Sequence, residues 1–147
     1  MITSAHIADA LTADLNGGSF SQSFTAVRVW LVKFTLVQLA ELKVSVVPGQ
    51  VTWNPMDRRR DDVRYAIDIA VQKRVDPAKN AQIDPLAALV QEIAGHCRGL
   101  QLTAAGGKVT CVERSTIPGA EAMVAKEHLE DFRAFLGVLR TVWVTHQ

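Results

Sequence analysis

The sequence predicts an α+β fold: one domain over residues 1–147, with a small mixed or antiparallel sheet of about five strands and two main helices packed on it. Three observations carry that expectation. Apolar residues recur at helical spacing in two separated segments, at Ile7, Ala10, Leu11 and Leu15 and again at Leu86, Leu89, Val90, Ile93 and Cys97. Other stretches alternate apolar with polar residues and are dense in β-branched side chains, which fits strands with one buried face. The chain has 147 residues, which suits a single core, because domains cluster at roughly 100–150 residues and a second core would be starved.

In chain order, Ser4 is placed to cap a first helix over residues 4–15, and Asn16-Gly17-Gly18-Ser19 ends it through glycine's tolerance of left-handed backbone. Phe24 to Phe34 reads as a strand apolar on both faces, and therefore covered on two sides. LVQLAEL follows as a helical turn or two, then a strand from Lys43 to Val47 that Pro48-Gly49 stops. Gln50 to Asp62 is irregular, charged and read as an exposed loop. The clearest strand comes next: Val63, Tyr65, Ile67, Ile69 and Val71 share one face, while Arg64, Ala66, Asp68, Ala70 and Gln72 share the other. After a polar connection over 76–83, Asp84-Pro85 is expected to open the second helix, with Gly99 as its C-terminal cap. Lys108 to Val112 reads as a strand after the Gly106-Gly107 turn, 119–131 as a short helix or ordered loop, and Phe132 to Val144 as a closing strand. In that last strand Phe135, Leu139 and Trp143 share one parity. Helices packed on one sheet make an α+β layer.

Charge excludes several functional classes. Sixteen Lys and Arg against 15 Asp and Glu leave a net charge of +1, without the basic footprint of a dedicated nucleic-acid or membrane-surface binder. No run reaches the ~20 apolar residues of a membrane span; Arg28 and Lys33 interrupt the richest stretch. The amino-terminal residues lack a basic start and a continuous apolar run, so no secretory signal is expected. Two cysteines, Cys97 and Cys111, are too few for a disulfide scaffold and imply a reduced, intracellular protein.

Catalytic signatures are missing. There is no nucleophile elbow, no Walker loop and no dinucleotide glycine fingerprint, and Gly17-Gly18 and Gly106-Gly107 read as turns. His6, His96, His128 and His146 have no metal-ligand spacing; His6 and Asp9 can face each other at i, i+3, but two ligands make no site. Cys97 and Cys111 read as small core residues. Asp61-Asp62 follows three arginines and has no apolar pocket to raise a carboxyl pKa. Glu127, Glu130 and Asp131 read as a solvated face. The expectation is a non-enzyme with no cofactor, no metal and no catalytic residue.

Contact residues are the remaining candidates. Arg58, Arg59 and Arg60 suit either phosphate or carboxylate partners; their local balance by Asp57, Asp61 and Asp62 favours inter-subunit or partner ion pairs over nucleic acid. Trp53 sits in a polar, proline-marked stretch, where it is either an anchor at a protein contact or part of a satellite cluster under the loop. Trp30 and Trp143 are placed on long strands whose edges are candidates for lateral contacts.

The segment FSQSFTAVRVWLVKFTLVQLAELKVSVVPGQVTWNPMDRRRDDVRYAIDIAVQKR, followed by DPLAALVQEIAGHCRG and EHLEDFRAFLGVLRTVWV, resembles small neck and tail proteins of long-tailed phages and prophages over about three-quarters of the chain. The likeness lies in the order strand L-x-V-x-V-V-P-G, Arg-rich loop, strand Y-x-I-x-I-x-V-Q-K, helix and carboxy-terminal strand after E-H-L. The order is similar to that of the tail-terminator group, whose members are α+β and form hexameric rings. That resemblance implies a non-catalytic virion protein assembled in the host bacterial cytoplasm. Its ring would cap the tail-tube protein, end tube growth and present its other face to the head–tail connector or stopper, with DNA passing through the lumen without sequence-specific binding and with no membrane partner. A connector, stopper or tail-completion protein is the neighbouring alternative, and a small ligand-binding or enzymatic α+β domain the more distant one. Axial contacts are expected on 50–62 and 76–83.

Overall fold

The computed structural model describes residues 1–32, 38–76, 78–116 and 134–146. Its elements are α1 (Ser4–Gly17), β1 (Ala26–Arg28), a single 3-10 turn (Gln38–Ala40), β2 (Lys43–Pro55), β3 (Asp61–Arg74), α2 (Asn80–His96), β4 (Gln101–Ala104), β5 (Gly107–Thr116) and β6 (Ala134–His146). Among the described residues the expected α+β class with two helices holds, and the sheet has six strands where about five were expected, ordered β1-β2-β3-β6-β5-β4. Only the β1–β2 pair is parallel; every other neighbouring pair is antiparallel.

One face of the sheet carries the core. Val44 and Val46 of β2 lie opposite Val71 and Ile69 of β3, which lie opposite Gly137 and Leu139 of β6. Val109 and Cys111 extend this face into β5, and Leu102 and Ala104 into β4. Ile7, Leu11 and Leu15 of α1 and Leu86, Leu89, Val90 and Ile93 of α2 join the same buried cluster, so both apolar helical stripes pack where their spacing required. Helix α1 touches β1, β2, β3 and β4, including both edge strands of the sheet, whereas α2 lies against β6. The sheet therefore curls around α1. That curvature follows from the right-handed twist accumulated across six strands.

Several local expectations are corrected. Thr3, not Ser4, caps α1: its hydroxyl accepts the His6 N–H at 3.3 Å, and His6 Nδ1 accepts the Thr3 N–H at 3.1 Å. Thr3 prevails because the residue three positions on carries a side chain that can reciprocate, whereas Ser4 would have Ile7 there. Helix α2 begins at Asn80, a turn before Asp84-Pro85, and Pro85 lies inside it. The turn that starts it is closed by Lys79 N–H to Asp76 O, Gln82 N–H to Lys79 O, and Asp76 N–H to Gln82 Oε1. Proline's missing donor costs a single backbone bond there. The helix ends at His96 with Cys97 as cap, and Gly99 takes the left-handed conformation (φ +63°) in the turn beyond.

Strand β1 is only three residues long, not the two-sided strand expected over 24–34, and Val27, Trp30 and Leu31 are exposed. Lys33 and Phe34 lie outside the described residues, as does the segment expected at 119–131. β4, unanticipated from sequence, pairs with β5 through a tight turn in which Ala105 (φ 49°) and Gly106 (φ 80°) both hold positive φ. Such a turn matches strand twist but places alanine where glycine or asparagine is usual, which hid the hairpin.

Candidate protein-contact surface

Pro48-Gly49 does not stop β2. The strand passes through a bulge there: Pro48 is opposite Ile67, and the next recorded pair is Val51 with Tyr65, so β2 spends one more residue than β3. Gly49 is needed because an added Cβ would lie 2.8 Å from the Ala66 carbonyl oxygen. The extra residue changes parity. Val44 and Val46 face the core before the bulge, and Val51 and Trp53 take that face after it, Trp53 directly opposite Val63.

The strands that flank this hairpin stop short of its end. β1 pairs with β2 only over Val44–Val46, and β6 pairs with β3 only as far as Arg64. Residues 53–55 and 61–63 consequently form a two-stranded ribbon that extends past the sheet by roughly 10 Å at a rise of about 3.3 Å per residue. Most of the expected loop 50–62 is thus strand, with a tip over 56–60. Toward the end of the hairpin one face is apolar and continuous with the core face: Val51, Trp53 and Val63. The other bears Thr52, Asn54, Asp62 and Arg64. Beyond the cover of the helices, Trp53 is 62% exposed and Met56 72%. Trp53 is therefore not part of a packing cluster beneath the ribbon.

At the tip, Asp57 Oδ1 accepts the N–H groups of Arg59 (2.8 Å) and Arg60 (3.0 Å), while the Arg60 carbonyl accepts from Met56 and Asp57. Asp57 thus folds the turn. Asp62 pairs with Arg64 at 3.2 Å, and Arg64 also reaches Glu113 at 3.6 Å. Among the described residues, Arg58, Arg59 and Arg60 make no ion pair, so the expected balance with their aspartates is one of proximity without contact.

The other candidates separate. Trp30 is 64% exposed beside β1, with the Arg28 guanidinium 5.7 Å from its ring centroid. Trp143, expected at a lateral contact, is 0% exposed. β6 lies between β3 and β5, not at an edge, and Trp143 faces the core with its indole N–H donating to Thr141 Oγ1 at 2.7 Å. An open cleft of about 960 Å³ beside β1 and the start of β2 is lined by Phe24, Val27, Val29 and Leu42 with Glu41, Lys43 and Lys73. Gln22, Ser23, Thr25 and Ser45 complete the polar part of its lining.

Groups that resemble catalytic ones are structurally engaged. His96 Nε2 lies 2.6 Å from Asp14 Oδ2 and the Phe20 ring packs edge-on against the imidazole, joining α1 to α2. The Ser21 hydroxyl and N–H both donate to Glu92, so this serine is turned to a carboxylate and not to the histidine. No spacing signal links Asp14 with His96 across 82 positions. His6 and Asp9, which their spacing allows to face each other, are engaged elsewhere: His6 with Thr3 and Asp9 with Arg28. Cys97 and Cys111 are buried free thiols in the core. Burial, with the charges of Cys111 and Asp14, pushes Cys97 up to about 12, and burial raises Cys111 as well, the opposite of an activated nucleophile. Among the described residues no three His, Cys, Asp or Glu side chains converge as a metal-ligand set, and no helix is long and apolar enough to cross a membrane.

No protein-family model and no curated protein sequence matches this chain. Solved structures do match: one is 13% identical with a TM-score of 0.53, over 100% of this chain and 98% of the other. That likeness concerns the fold alone.

Proposed function

We propose that this chain is a structural protein of the tail–head junction of a long-tailed phage or prophage. Copies of it assemble into a ring, hexameric by the sequence resemblance, that caps the tail tube, ends its growth and joins it to the head connector. The observation that carries the reading is the free-standing amphipathic ribbon. A two-stranded element is marginal in water by itself, and exposing Trp53 and Met56 at its end costs solubility unless a protein surface covers them. The Asp14–His96 and Ser21–Glu92 pairs hold loops and helices together, which supports a scaffold that acts by shape. A ring uses a heterologous interface that closes on itself, and the exposed Val27 of the edge strand β1, with Trp30 and Leu31 just after it, supplies a second uncovered surface.

Removing the chain from a complete particle system and measuring tails by electron microscopy tests this reading. The expected result is tails of uncontrolled length without heads, restored by supplying the protein. Tails of normal length joined to heads, or particles with no copy of the chain between capsid and tube, would refute it.

A further inference from the structure

We infer that the β2–β3 ribbon is a plug for an acidic-rimmed, apolar-floored groove on a different protein, with Trp53 and Met56 as anchors and Arg58, Arg59 and Arg60 as the charged clasp. This docking chemistry rests on the reading of the ribbon as a contact surface, and it does not depend on which particle holds the chain.

The ribbon's shape makes it the inserted partner. Val51 and Val63 are already half-buried against the core, whereas Trp53 and Met56 project past it from two strands only about 4.8 Å apart, so these two can be buried only by a surface that rises around them. The bulge at Gly49 spends one residue to keep the row of Val51, Trp53 and Val63 apolar; without it Thr52 and Asn54 would occupy the face.

Charge selects the rim. Asp57 is consumed by the tip's own backbone and Asp62 by Arg64, which leaves three consecutive exposed arginines without an ion pair among the described residues. Guanidiniums suit carboxylates in bidentate geometry. A second copy of this chain offers them only singly. Among the described residues, Asp9 is held by Arg28, Asp14 by His96, Asp68 by Arg140, Glu92 by Ser21 and Glu113 by Arg64, while the exposed Asp61, Asp76 and Asp84, which make no ion pair, lie apart on β3, the turn before α2 and α2. Nucleic acid is a poor partner, because valine and methionine find no apolar surface on a phosphate backbone and the chain's net charge is only +1.

The test is a photo-crosslink followed by a charge swap. Met56→p-benzoylphenylalanine is introduced in cells that produce the protein with its neighbouring genes, and the irradiated product is identified by mass spectrometry. The purified captured protein is then titrated with wild type, Trp53→Ala, and the triple change Arg58→Glu, Arg59→Glu, Arg60→Glu. All variants should keep the wild-type urea midpoint, since these side chains are exposed. The expected result is a crosslink to a different chain, at least tenfold weaker binding for each variant, and recovery of the triple variant when carboxylates at the crosslinked site are changed to lysine. A crosslink only to another copy, no crosslink, binding indifferent to the arginine changes, or arginine-dependent binding of a 20-base-pair duplex at physiological salt would overturn it. If the captured protein is not a virion component, the phage reading fails and this one stands. If ribbon variants enter particles and tails normally, this one fails and the phage reading stands.

Discussion

Replacing Thr141 by valine probes the centre of the sheet with little change of shape. Thr141 and Trp143 are both 0% exposed. The Thr141 hydroxyl donates to the Ile67 carbonyl at 2.8 Å and accepts the Trp143 indole N–H at 2.7 Å. Thr141→Val removes both bonds and leaves the indole donor buried without a partner, a loss of about 3 kcal/mol when one ordinary bond and one orphaned donor are combined. The added methyl returns about 0.8 kcal/mol, for a net cost of about 2 kcal/mol. For a chain near 150 residues that corresponds to a fall in Tm of roughly 4–8 °C. Urea unfolding followed by far-ultraviolet circular dichroism measures it. The decisive comparison is a cycle with Trp143→Phe, which deletes the donor. In that background Thr141→Val should cost about 2 kcal/mol less, because no donor is orphaned. A cost below about 0.5 kcal/mol in wild type, or an equal cost in both backgrounds, would refute the assignment of this hydroxyl as a buried bridge.

Three further outcomes follow from the same geometry. An unfolded Cys97 thiol ionises near its ordinary 9.0 and releases a proton that the folded state, with the thiol raised to about 12, retains. Its contribution is therefore intact below pH 9 and lost above it, at about 1.4 kcal/mol per pH unit, and urea midpoints from pH 8 to 10.5 should fall less steeply in Cys97→Ala than in wild type. Gly49→Ala puts a Cβ 2.8 Å from the Ala66 carbonyl oxygen and should cost about 1–3 kcal/mol by overpacking, read by thermal unfolding. Trp53→Ala should change stability by less than about 0.5 kcal/mol because the side chain is exposed, so the same melt separates a surface anchor from a packing residue.

Much of the layer was legible. The alternation of Val63, Tyr65, Ile67, Ile69 and Val71 describes β3, and the spacing from Leu86 to Cys97 describes the buried stripe of α2. These features are local: a side chain's face follows from its position along one strand or helix. Turn chemistry was less dependable. Pro48-Gly49 carries the same residues whether a strand ends or bulges, Asp84-Pro85 the same whether a helix starts or continues, and the β4–β5 turn uses alanine at positive φ. Trp53 was recognisable as out of place in a polar stretch, but its exposure was not, because that depends on where other strands stop.

The sequence by itself determined the two helical stripes, the alternating strands, the near-neutral charge and the lack of catalytic signatures. Tertiary structure alone decided that β6 runs between β3 and β5, burying Trp143, and that β1 and β6 stop short, leaving Trp53 in the open. It also decided that Asp14 meets His96. The physical reason is that an alternating pattern says which face is apolar without saying which neighbour will cover it. Strand partners, and the length over which they pair, are settled by the packing of the whole chain.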